Sequence, residues 1–431
     1  MRATPPRPGS VHRTADFTSP LTVPGGEVAG TEIVRELPPE VALTVWQVLR
    51  TVLLWAAEIP AQRGDLFERS AMEQWERELL EGTFDPEVRY PLAVMVGELA
   101  ALEDASPEAM AHACLCAAEW GLAHKATRTA LAFTEAAALC LPDHPRYAWM
   151  AGRMLRKHGY RREAEQWIKR SIRVAGSKGD WETQTLGLNS LGNVFYEAGK
   201  YPESVRTLED ALRASRKHRL RAREGEILHD LFAVTVWGGD ISRAEGFAQA
   251  AFEIYRDGHH RLPALAHDVA VLWIRRGQFA RAFSVLKDLP AFFEFPEERI
   301  RVLASLARSA GACGDRVIFL HACHNAELLA MDDYISLRSA PALVEIGLGA
   351  WDLGEWETAE RILESALRFA TIAGESDARL QAESALIAVR DRTYPEKEQN
   401  PVNSRTAIVD DALATGFLSS LQTAEFTAAG V

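Results

Sequence analysis

The sequence predicts an all-α fold: a right-handed α-solenoid of about seven helical hairpins, with an N-terminal helical cap and a C-terminal capping helix. Three observations predict it. Seven glycines, Gly121, Gly159, Gly199, Gly239, Gly277, Gly314 and Gly354, follow one another at steps of 38, 40, 40, 38, 37 and 40 residues. Five positions after each stands Ala126, Ala164, Ser204, Ala244, Ala282, Phe319 or Ala359, small everywhere except at Phe319. Between these marks the apolar residues recur at helical spacing. A period of about 20 to 50 residues is the signature of a stacked repeat array. Such arrays are built to present a surface, so binding is the leading functional class.

Composition narrows the classes further. Of 431 residues, 47% are apolar, which suffices for a continuous core, and the net charge is −12. An acidic balance argues against general nucleic-acid binding, whose footprint is basic. The five cysteines, Cys114, Cys116, Cys140, Cys313 and Cys323, form no CxxC pair, and their odd number fits neither a zinc site nor a disulfide framework. They read as free thiols in a reducing compartment, most of them buried. No run of about 18 apolar residues is expected to span a membrane, and Met1 to Gly30 lacks the apolar core of a signal peptide. The expectation is a soluble cytoplasmic protein without a cofactor or metal.

Taken in order, residues 1–30 have the composition of a disordered leader. Residues 31–105 read as a helical cap or bundle. One helix begins at Pro38-Pro39-Glu40 and carries Val41, Val45, Leu49, Leu53 and Leu54; a second runs roughly from Leu66 to Leu80; a third covers about Pro91 to Leu102, after breakers at Gly82, Asp85 and Pro86. The repeat array occupies 106–372 and opens on Ser106-Pro107-Glu108, an N-cap, a proline at the first helical position and an acid in the first turn. A capping helix follows in 373–392. Residues 393–431 are linker and tail, with one short amphipathic helix around Ile408 to Leu421.

Within the array, Gly152, Gly192 and Gly347 each stand seven residues before a turn glycine. There the two helices of a hairpin cross, and a side chain would hold the backbones apart. Tyr201, Phe279 and Trp356, two residues beyond the turn, plug the gap between helices. Each hairpin alone exposes an apolar face, so several must stack.

The units LGNVFYEAGKYPESVRTLEDAL and EIGLGAWDLGEWETAERILESAL resemble the tetratricopeptide repeat (TPR). The resemblance covers about residues 107 to 370. It weakens in the first unit, where Cys114 and Ala123 replace the glycine and the aromatic. It weakens again at Gly314, where Arg316 and Phe319 occupy the aromatic and small positions, predicting a kinked or wider hairpin. The resemblance implies binding of a protein or peptide in a groove lined by each unit's first helix. It places Arg153, Arg156, Asn189, Asn193 and Tyr196 there, with Asn193 at the position that holds peptide backbone or carboxylate. Asn can donate and accept together, and Arg can grip a carboxylate bidentately.

A second feature is His229-Asp230 and His267-Asp268, one repeat apart, which predict two His-Asp dyads on the same groove wall. They read either as register-matched polar residues or as a pH-responsive element. His321 and His324 have helical spacing but no evident third metal ligand. Phe292, Phe293 and Phe295 form core packing of a longer loop or a contact patch. No GxGxxG, GxxxxGK[ST], GxSxG or HExxH motif occurs. Two functions therefore stay open: a non-catalytic protein- or peptide-binding scaffold, or a peptide-responsive regulator similar to the bacterial Rap proteins. The partner and the oligomeric state are not fixed by the sequence.

Overall fold

A computed structural model describes residues 31–58, 60–330, 339–393 and 411–423, so the expected leader and much of the linker and tail lie outside the described residues. All regular structure among the described residues is helical. The chain forms two compact units, Met1–Arg219 and Leu220–Val431.

The first unit contains α1 (Thr31–Glu36), α2 (Pro39–Ala57), α3 (Arg69–Glu81), α4 (Pro86–Ala100), α5 (Pro107–Ala123), α6 (Thr127–Cys140), α7 (Pro145–Lys157), α8 (Arg161–Lys178), α9 (Trp181–Glu197) and α10 (Tyr201–Lys217). Helix α4 begins at Pro86 rather than Pro91. Asp85, expected to be a breaker, is instead the N-cap: its carboxylate accepts from the Glu87 amide, and Pro86 takes the first helical position. Helix α2 is long and apolar enough to cross a membrane, contrary to the expectation from sequence. Its Val45, Val48 and Val52 are fully buried and it packs on α4 and α6. Glu36 at the end of α1 accepts from the amides of Arg128 and Thr129 at 2.9 Å, so α1 caps α6 from outside the repeat.

The hairpins α5–α6, α7–α8 and α9–α10 follow. The turn glycines Gly159 and Gly199 adopt φ of +86° and +72°, conformations that cost a side chain. The first turn departs from the expected register, because Gly121 lies inside α5 and Lys125 takes the positive φ, +59°. Gly121 is instead the crossing point, where a Cβ would stand 3.1 Å from the Ala130 nitrogen. The crossing at Gly192 is closer still, with 2.6 Å from that hypothetical Cβ to Leu208 Cγ. Opposite it, Ser204 Oγ donates to the Gly192 carbonyl at 2.7 Å, which a hydroxyl at this small position alone permits.

The second unit contains α11 (Arg221–Trp237), α12 (Ile241–Tyr255), α13 (Leu262–Arg275), α14 (Phe279–Leu286), α15 (Pro296–Cys313), α16 (Arg316–Leu329), α17 (Ala340–Asp352), α18 (Trp356–Ala373), α19 (Ser376–Arg390) and α20 (Ala412–Thr423). The hairpin at Gly314 keeps the ordinary turn, φ +78°, and Phe319 is fully buried. The irregularity falls on the other side of α15. A Cβ at Gly311 would stand 2.2 Å from the Gly349 carbonyl oxygen, so α15 and α17 meet backbone to backbone.

Helix α14 has only 8 residues and ends in a 3-10 turn, Leu289–Phe292. Helix α20 packs beside it, on α12, α13 and α14. Phe417 is fully buried and meets Phe252 edge-on at 5.0 Å. Asp411 accepts from the amides of Leu413 and Ala414 and pairs with Arg281, so one carboxylate both caps the helix and tethers it. The helix expected around Ile408 to Leu421 thus starts at this cap; Ile408 lies outside the described residues.

Of the cysteines, Cys114, Cys140 and Cys323 are buried, Cys116 is half-buried and Cys313 is exposed; all are free thiols. Burial pushes the Cys323 thiol up to about 12, which leaves it protonated and unreactive at neutral pH.

Candidate functional site

Arg153 and Arg156 lie on α7; Asn189, Asn193 and Tyr196 lie on α9, the first helix of the next hairpin, which touches α7 directly. The two helices face each other through Trp149 and Ser190, whose indole N–H donates to the hydroxyl at 2.9 Å. Trp149 is almost fully buried and carries Arg146 and Arg153 over its ring, at 4.5 and 5.3 Å. Arg156 pairs with Glu197 on α9, so its charge is already compensated. Desolvation, with Arg153 and Arg156 adding, pulls the Lys157 ammonium below its usual range, a sign of crowded positive charge at the end of α7. Asn189 Oδ1 is buried with no hydrogen-bond partner among the described residues. An unsatisfied acceptor of this kind costs about 1–3 kcal/mol, a cost that a donor on a bound chain removes.

His229 and His267 belong to the second unit, on α11 and α13. Of the two expected dyads, His267 does pair with its neighbour Asp268, whereas His229 bonds across to the same Asp268. His229 Nε2 meets Asp268 Oδ2 at 2.9 Å, across one repeat, while Asp230 acts electrostatically on Arg261. His267 Nδ1 stands 3.5 Å from the other oxygen of Asp268, and its Nε2 is 3.2 Å from Ser305 Oγ on α15. One carboxylate is therefore shared by two imidazoles in a ladder that joins α11, α13 and α15. Desolvation alone would raise the Asp268 carboxyl, but hydrogen bonds from His229 and His267 outweigh it and hold it below the usual carboxylate range.

The order Asp268, His267, Ser305 is that of a hydrolytic triad. Ser305, however, is 7% exposed and sits in mid-helix, where the neighbouring backbone N–H groups are committed to helical bonds and cannot form an oxyanion hole. The arrangement joins helices; it does not present a nucleophile.

Sequence reasoning missed Trp149, Ser190, Glu197 and Ser305. Ser305 was within reach, because it follows His267 by 38 residues, the step that separates His267 from His229. It also missed Arg308, which is largely buried on α15, pairs with Asp352 and stands 3.7 Å from Glu345, both on α17. Among the described residues no cluster of three or more His, Cys, Asp or Glu side chains is placed to hold a metal.

Residues 187–218 match the family model described as tetratricopeptide repeat. No curated protein matches the chain. Among solved structures, the chain is similar to a signal transduction ATPase with numerous domains (STAND) from Pyrococcus horikoshii that has a tetratricopeptide repeat sensor. Identity is 13%, with 92% of this chain and 69% of that one covered at a TM-score of 0.51. It is also similar to BtubC (BKLC) from P. vanneervenii, at 19% identity, 54% and 94% coverage and a TM-score of 0.40. A Rap protein complexed with Competence and Sporulation Factor gives 10% identity, 82% and 98% coverage and a TM-score of 0.36. Residues 187–218 are thus a tetratricopeptide repeat, and the paired helices and left-handed turn glycines continue its pattern along the chain.

Proposed function

We propose that the chain is a non-catalytic protein-binding scaffold, and that the first helices of its hairpins receive a peptide or an extended segment of a partner. The α7–α9 surface is the clamp. Arg153, held over Trp149, supplies the positive charge; Asn193 and Tyr196 supply groups for an extended backbone; Asn189 offers a buried acceptor awaiting a donor. The unsatisfied Asn189 Oδ1, on the helix that meets α7 through Ser190 and the Arg153-bearing Trp149, is the observation that carries this reading. An acidic segment or a C-terminal carboxylate fits it best, since Arg153 and Lys157 favour a negative ligand. His229 and His267 line the corresponding helices of the second unit, where they fix the wall through Asp268. Residues 31–105 act as the cap of the array 106–372, and 373–392 closes its other end. The protein works in the cytoplasm.

Affinity capture from native extract tests the proposal, comparing the unaltered chain with the Arg153→Glu, Asn193→Ala variant. A partner retained only by the unaltered chain supports the clamp. Equal capture by a folded variant refutes it.

A further inference from the structure

The row of second helices is interrupted at α14, which stops at Leu286 while α12 and α16 run on to Tyr255 and Leu329. The missing turns are only partly replaced by the 3-10 turn and by α20. Between these elements, α15 and α16, a cavity of about 800 Å³ remains. It is open to solvent on one side, and its size falls in the range of small-molecule sites, about 300–1,000 Å³.

Its walls divide by chemistry. Val285, Leu303, Leu306, Leu328, Leu418 and Leu421 form an aliphatic lining. Lys287, Arg299, His321 and Asn325 add a polar side, with Phe292 between. Arg299 is pinned to the wall, its Nε–H donating to the Pro290 carbonyl at 3.2 Å. A guanidinium fixed in this way has its other nitrogens pre-organised for a planar two-oxygen acceptor. Asp288 on the same lining opposes a second negative charge, which disfavours phosphate dianions. Phe292 and His321, both singled out in the sequence, line this cavity.

We propose that this cavity binds a monoanionic amphiphile, a medium-chain fatty carboxylate of about eight to twelve carbons, with its head at Arg299 and its chain among the leucines. Two of those leucines belong to α20, so the ligand also fastens that helix to the second unit. The proposal is independent of the α7–α9 clamp.

Calorimetric titration of the full-length protein with decanoate, and separately with decan-1-ol, tests it. Saturable one-to-one binding of decanoate is expected, at least tenfold tighter than the alcohol, because the carboxylate adds a charge-assisted contact. Arg299→Gln brings decanoate down to the level of the alcohol, and Leu306→Trp, which fills the lining, removes both. Amide exchange in 412–423 slows when decanoate is present. No saturable binding, or equal binding of decanoate and decanol by the unaltered protein, overturns the proposal without reference to any variant. Unchanged decanoate affinity in folded Arg299→Gln overturns the assignment of the head group.

Discussion

His229 and Asp268 lie one repeat apart and meet at 2.9 Å, while the second oxygen of Asp268 stands 3.5 Å from His267. The repeat register brings them together, because it sets His229 beside its counterpart His267 on the next first helix, and Asp268 follows that residue. The groove wall of the second unit is thus tied by a carboxylate that both imidazoles hold in its charged form.

This tie has a defined pH dependence. The folded Asp268 is depressed below its ordinary value of 3.8, so its contribution is full above that value and is lost as pH falls toward the depressed one. Asp268→Asn is expected to cost about 1 kcal/mol at pH 7, a figure discounted for a side chain that is half exposed. Denaturant melts at pH 7 and pH 3 check this. The gap between the two proteins narrows at the lower pH; a gap that widens contradicts the assignment.

Three glycines form a graded series. Gly349→Ala places a Cβ 2.6 Å from the Ala307 carbonyl, a backbone atom that cannot swing away, and should cost about 3 kcal/mol or more. Gly192→Ala meets the Leu208 side chain, which can shift, and should cost about 1–2 kcal/mol. Gly246→Ala, in open space on exposed α12, should stabilise by about 0.5–1 kcal/mol. Equal melting temperatures for all three would show that the close crossings do not carry the packing.

The first hairpin turn offers the opposite change. Lys125 holds φ +59°, a conformation costly to a residue with a Cβ. Lys125→Gly should gain about 0.5–1 kcal/mol, and Lys125→Ala should gain nothing, as read by chemical denaturation.

Helix α20 is tethered locally. Arg281→Ala removes the partner of Asp411 and Phe417→Ala empties the contact with Phe252. Hydrogen exchange should rise in 412–423 in both variants and stay unchanged in α5 to α10. Uniform loss of protection across the chain would mean that α20 is integral to global folding rather than a docked segment.

Much of the fold is legible in the sequence because its causes are local. A turn that needs positive φ selects glycine, and a crossing that admits no Cβ selects glycine again, so Gly199 and Gly192 mark a hairpin between them. Lys125 escaped because lysine gives no signal for a left-handed conformation. Asp85-Pro86 reads as a breaker or as a helix start, and only the apolar residues Val88, Leu92 and Met95, all buried, decide for the start. The seat of α20 was closed to sequence reading, since Phe417 is buried by Phe252, far away in the chain. An amphipathic helix around Ile408 to Leu421 was expected, without a partner for its apolar face. At the candidate sites, residue types were legible and pairings were not. The neighbours His229 and Asp230 in sequence suggested a dyad, yet the bond crosses to Asp268. Arg156 looked free to bind until Glu197 was seen to hold it.

That last pair separates the clamp's two arginines. Glu197→Gln releases Arg156 and should tighten an anionic peptide several-fold, whereas Arg153→Glu should abolish it. Fluorescence titration of an acidic peptide library checks both directions.

The clamp itself is tested most directly by crosslinking. A photoreactive residue placed at Asn193, in the otherwise unaltered full-length protein, is irradiated in native extract. The account predicts a discrete crosslinked partner that disappears when Arg153→Glu is added. A partner whose crosslink is indifferent to Arg153, or no crosslink at Asn193 while one forms elsewhere on the chain, would contradict it.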